Sequence, residues 1–167
     1  KLIVPAAQFW PGIKASPGMC IAFDHVREKM LRHRPANART PEILDGWMRQ
    51  ITEALASDPR AAAWAANLVV HPSNERLPAD LESVLRYKPP LVITALGNPA
   101  RVVDAVHSYG GLVFADVNSV GFARKAAATG VDGLVLVASG AGGHTGQTAG
   151  FAFVEEVRQF WDGPIVL

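Results

Sequence analysis

A single cysteine, Cys20, is the chain's whole sulfhydryl inventory. One thiol excludes an intramolecular disulfide and fits a reducing compartment. Charge is also scarce, at 19% of residues with a net charge of +1. No basic stripe forms, so nucleic-acid binding finds no support. Apolar runs stop at strand length, far short of the ~20 residues a membrane helix needs. The start, Lys1-Leu2-Ile3-Val4-Pro5-Ala6-Ala7, has too short an apolar run for a signal peptide. Together these absences lead to the expectation of a cytoplasmic domain with neither a membrane nor a nucleic-acid partner.

Several motifs are missing as well. No lysine follows the glycines of Gly140-Ala141-Gly142-Gly143-His144-Thr145-Gly146, which excludes a Walker loop. Thr145 stands where a dinucleotide fingerprint would need its third glycine. Ser139 precedes the glycines without a Gly-x-Ser-x-Gly elbow. His25, His33 and His107 have no partners at metal-ligand spacing, so no metal is expected.

What is present is a globular composition, 49% apolar, in a chain long enough for one compact core. From about residue 60 the sequence alternates. Apolar runs at 66–70, 90–95, 112–117, 131–137 and 164–167 read as strands. Residues 78–87, 101–109, 119–129 and 151–161 read as helices, several punctuated by glycine or proline. Thr40, Pro41 and Glu42 form a helix start, with Thr40 as N-cap. Strand-to-strand spacing of roughly 20 to 25 residues implies right-handed βαβ units and a parallel sheet. An open doubly wound sheet and a (β/α)8 barrel both satisfy that pattern. The short repeat and the missing fingerprint favour the barrel. A whole barrel needs about 250 residues, so the expected class is α/β, a partial (β/α)8 barrel truncated at its C-terminal end. Residues 1–34 lie outside the pattern as an irregular segment, and residues 35–167 form the barrel portion. Trp10, Trp47, Trp64 and Trp161 are expected to pack.

The most informative stretch is the apolar run 133–138 opening into Ser139 and the glycine-rich loop. Glycines allow close backbone approach to a ligand, and histidine is readily poised for proton transfer. In α/β proteins the C-terminal ends of parallel strands are where sites assemble. Asn67, Thr94 and Asp116 lie on strands near such ends, and His71 just beyond one. Each carries little weight alone: Asn67 could equally be a satisfied buried amide, and a lone loop histidine is more often solvated. The loop itself could cradle a phosphate or a flavin ring through backbone N–H groups.

Residues 35–167 resemble the nitronate monooxygenase family, also called 2-nitropropane dioxygenases. The likeness rests on Ala66-Asn67-Leu68-Val69-Val70-His71, on 111–133, and above all on Ala141-Gly142-Gly143-His144-Thr145-Gly146, which matches the family's Ala-Gly-Gly-His-x-Gly signature. The resemblance implies an FMN-dependent barrel related to flavin enoyl-acyl-carrier-protein reductases. It implies oxidation of an alkyl nitronate with O2 to a carbonyl compound and nitrite. His144 would be the catalytic residue over the flavin. Asn67, Gly142 and Gly143 would contact the cofactor, with Ser139 and Ala141 near it by position. Val137 departs from the family, many members of which carry a carboxylate or amide there. The alternatives are a non-catalytic barrel fragment with little flavin affinity, self-associating through open sheet edges, a related flavin reductase acting on enoyl thioesters or quinones, or a barrel that binds a sugar phosphate.

Overall fold

The computed structural model describes residues 38–56, 63–141 and 146–167. Residues 1–37, including Cys20, Trp10, His25 and His33, fall outside them, as do Gly142, Gly143 and His144 of the glycine-rich loop.

Helix α1 (Pro41–Ala56) begins where the sequence says it should, with Thr40 Oγ1 accepting from the Ile43 N–H at 3.4 Å. The Thr40 hydroxyl and the helix's own backbone hold the Glu42 carboxyl below its ordinary range. Strand β1 (Ala65–Val69) follows, then α2 (Leu77–Tyr87), β2 (Leu91–Ala95), a 3₁₀ turn (Pro99–Arg101), α3 (Val103–His107), β3 (Leu112–Val117), α4 (Val120–Ala127), β4 (Gly133–Leu136), α5 (Gly150–Arg158) and β5 (Ile165–Val166). The one helix expected over 101–109 is two pieces. Pro99 starts a 3₁₀ turn capped by the Asn98 side chain, and Val102 leaves helical geometry before α3 begins.

The five strands are parallel, in the order β1-β2-β3-β4-β5. A doubly wound sheet reverses strand order and carries helices on both faces; here the order is strictly sequential. Alternate positions, Ala66, Leu68 and Val70, then Val92 and Thr94, Val113, Ala115 and Val117, and Leu134, Leu136 and Ala138, are all buried. They form one face, packed by the helices around Leu44, Met48, Val84, Val106, Ala123, Phe153 and Val157. The opposite face, Ala65, Asn67, Val69, Leu91, Ile93, Ala95, Asp116, Val135 and Val137, is only half-buried. A singly wound parallel sheet with helices outside is the wall of a (β/α)8 barrel, and the half-buried face is its interior.

Side-chain ties hold the outer layer in place. Asp45 on α1 accepts from Arg86 at 2.6 Å and Tyr87 at 3.0 Å on α2. At the N-terminal end of the strands, Asp132 accepts the Val113 N–H at 2.7 Å and meets His107 at 2.8 Å. His107 therefore has a partner 25 residues away in sequence, and the tie braces the end of the barrel remote from the loop. Trp64 is buried, while Trp47 and Trp161 pack against the core.

Candidate functional site

The interior face is built row by row from strand register. Asn67 pairs with Ile93, Ile93 with Phe114, and Phe114 with Gly133. The Phe114 ring lies over Gly133, where a Cβ would come within 2.5 Å of ring carbon. The next row toward the C-terminal rim pairs Val69 with Ala95, and Asp116 with Val135 and then Val166. The surface is apolar except for Asn67 and Asp116. Among the described residues neither side chain has a hydrogen-bond partner. Burial pushes the Asp116 carboxyl above its ordinary range.

Strand parity separates two residues the sequence presented alike. Thr94 points to the helix-covered side, is buried, and donates to the Phe114 carbonyl at 3.4 Å. Its hydroxyl belongs to the wall. Asp116 faces the interior. Period-2 alternation could have told them apart once the covered face was known.

The rim is fixed by backbone groups. The Ala138 carbonyl accepts from both Ala141 N–H and Gly146 N–H, each at 3.2 Å, and Ser139 N–H donates to Thr148 O at 2.9 Å. The glycine-rich excursion thus leaves and rejoins β4 at one residue. Gly140 takes φ +92°, a conformation side chains rarely adopt. A Cβ on Gly146 would land on the Val137 carbonyl oxygen, with Asn118 O only 3.3 Å away. Only glycine lets the returning strand lie this close to the end of β4. Ser139 is exposed and Ala141 half-buried at this base.

Across the rim, Asn74 Nδ2 donates to Val69 O at 2.7 Å, and Arg101 Nη1 donates to Val70 O and His71 O at 3.1 Å each. These bonds satisfy carbonyls at the end of β1, which lack a ladder partner. His71 is exposed here. Its Nδ1 accepts the Ser73 N–H at 3.2 Å and lies 2.7 Å from Ser73 Oγ.

Asn67, at mid-strand, and Asp116, nearer the C-terminal rim, thus share the interior face, while Ser139, Ala141 and His71 lie just past strand ends. Among the described residues no group of histidine, cysteine and carboxylate side chains is arranged to hold a metal ion.

Known proteins are similar to this chain in sequence and in fold. The family model described as nitronate monooxygenase matches residues 45–166. A Mycobacterium tuberculosis protein named "Putative monooxygenase Rv1533" is 41% identical over 68 residues, 40% of this chain and 18% of that protein. FabK from Thermotoga maritima superposes with a TM-score of 0.65 at 22% identity, covering 78% of this chain and 40% of that one. A nitroalkane oxidase from Streptomyces ansochromogenes superposes with a TM-score of 0.64 at 19% identity, covering 78% of this chain and 48% of that one. At such identities the two superpositions establish the barrel fold. The chain spans less than half the length of each of these relatives.

Proposed function

The chain belongs to the nitronate monooxygenase family, and from that premise we propose that it forms the flavin-binding and proton-handling wall of an FMN-dependent oxidoreductase acting on alkyl nitronates. The observation that carries the proposal is the interior face itself. Among the described residues it is apolar, carries no helix, and presents at mid-strand the amide of Asn67 without a hydrogen-bond partner, below the rim where the glycine-rich loop is anchored. A planar ring system with polar edges suits such a surface, because burying its faces stabilises it while an amide satisfies one edge.

In this reading Asn67 binds the cofactor edge by hydrogen bonding. Ser139, Ala141, Gly142 and Gly143 bring loop backbone against it. His144 is the catalytic residue, holding or moving a proton at the substrate's reacting carbon, or binding the anionic substrate. Bound flavin would supply the redox chemistry for oxidation of an alkyl nitronate with O2 to a carbonyl compound and nitrite. The apolar interior face shields that chemistry from water. We place the activity in the cytoplasm on the strength of the lone cysteine.

The test is replacement of His144 by alanine. Nitronate turnover should fall by about 10²–10⁴-fold, the usual contribution of a positioned acid or base, while flavin remains bound. Unchanged turnover would remove His144 from the mechanism.

A further inference from the structure

Asp116 is unlike any other described carboxylate in the chain. It sits in β3 on the interior face, half-buried, and burial is the sole cause of its raised pKa. Its neighbours on that face are apolar: Val135 from β4, Val166 beyond it on β5, and Ala95 from β2. Asn67 on β1 is the nearest polar side chain by register, two strands away and one row deeper. At a strand spacing of ~4.8 Å and a rise of ~3.3 Å per residue, that places the two about 12 Å apart. Among the described residues no titratable or charged group faces Asp116 from β1, β2, β4 or β5. Asp104 and His107 of α3, and Arg124 and Lys125 of α4, belong to helices packed on the other side of the sheet.

A carboxyl without a donor or a counter-ion on an apolar floor has two unlike states. Protonated, it is a compact O–H donor. Ionised, it is an uncompensated negative charge in a poorly solvated site, where repulsion of a second anion is strong. We propose that Asp116 sets the charge selectivity of the site: its neutral carboxyl donates to an oxygen of a small planar anion, and its ionised form turns that anion away. The identity of the anion as a nitronate rests on the function proposed above, whereas the charge selectivity rests on Asp116 alone. The sign follows directly. Affinity is highest below the Asp116 pKa and falls as pH rises through it.

The test uses inorganic nitrate, a planar oxyanion with no acid–base chemistry of its own in this range. Its binding to the chain is measured by calorimetry across pH, for wild type and Asp116→Asn. Carboxyl-carbon NMR of wild type gives the Asp116 titration independently. Because the sequence puts His144 on the loop after β4, the series is repeated in a His144→Asn background. The wild-type Kd should rise about tenfold per pH unit above the Asp116 midpoint seen by NMR. In the His144→Asn background, the Asp116→Asn variant should bind nitrate with a Kd independent of pH. Equal slopes in wild type and variant would overturn the proposal, as would failure of nitrate to bind at any pH. Should Asp116→Asn not fold, the coincidence of midpoints decides: a nitrate midpoint away from the Asp116 titration overturns it. Undiminished nitronate turnover in His144→Ala would instead strike the functional reading and leave the nitrate result intact.

Discussion

Gly146→Ala isolates the feature on which the rim depends. The added methyl would meet the Val137 carbonyl oxygen, and Asn118 O stands 3.3 Å away. Both are backbone atoms, so no flexible side chain can yield. The Val137 N–H is itself bonded to Val117 O at 2.8 Å, tying the residue that carries the obstructing carbonyl to β3. Relief must come from moving Gly146 outward, which breaks its 3.2 Å bond to Ala138 O. Overpacking of this kind costs about 1–3 kcal/mol, and the lost hydrogen bond adds about 1 kcal/mol. A total of about 2–4 kcal/mol corresponds to a drop in Tm of roughly 5–15 °C for a chain of this size. Urea denaturation followed by tryptophan fluorescence reads the change directly. Gly121→Ala is the control. It lies in α4 with nothing within 4 Å of the new methyl, so it should stabilise by about 0.5–1 kcal/mol. If Gly146→Ala proved as stable as wild type, the close return of the loop onto β4 would be refuted.

Other outcomes follow from the same geometry. Asp132→Ala leaves the Val113 N–H without its side-chain acceptor and His107 without its partner, and should cost about 1–3 kcal/mol by denaturation without altering flavin affinity. Asp45→Ala removes the α1–α2 tie to Arg86 and Tyr87 and should cost about 1–2 kcal/mol. Burial pushes the Tyr109 hydroxyl up to about 12. The folded chain keeps that proton where the unfolded chain begins to lose it near pH 10, so stability is complete below about pH 10 and declines toward pH 12. Tyr109→Phe should flatten that decline relative to wild type in denaturation curves taken across the range.

Much of the wall was legible in the sequence. The apolar runs at 66–70, 90–95, 112–117 and 131–137 coincide with strands to within a residue or two, because continuous β-branched and aliphatic stretches bounded by glycine and proline have few other uses. The short repeat and the missing fingerprint favoured the barrel over a doubly wound sheet, but an apolar run does not say which face meets helices. Strand order and burial parity supply that answer. Helix 101–109 was read too simply: Pro99 fixes the first turn, but the spacing of apolar residues cannot register the break at Val102. Asp116 and Thr94 looked equivalent as polar residues near strand ends, and only the covered face distinguishes them. The His107–Asp132 and Asp45–Arg86 pairs were invisible because their partners are 25 and 41 residues apart in sequence.

Equilibrium titration of the chain with FMN, followed by quenching of flavin fluorescence, tests the central claim most directly when wild type and Asn67→Ala are compared. An interior face that holds the flavin through the Asn67 amide predicts saturable quenching by wild type and an affinity about tenfold weaker in the variant, the worth of roughly one hydrogen bond. Absence of saturable quenching, or equal affinity in the two proteins, would contradict the placement of the cofactor on this face.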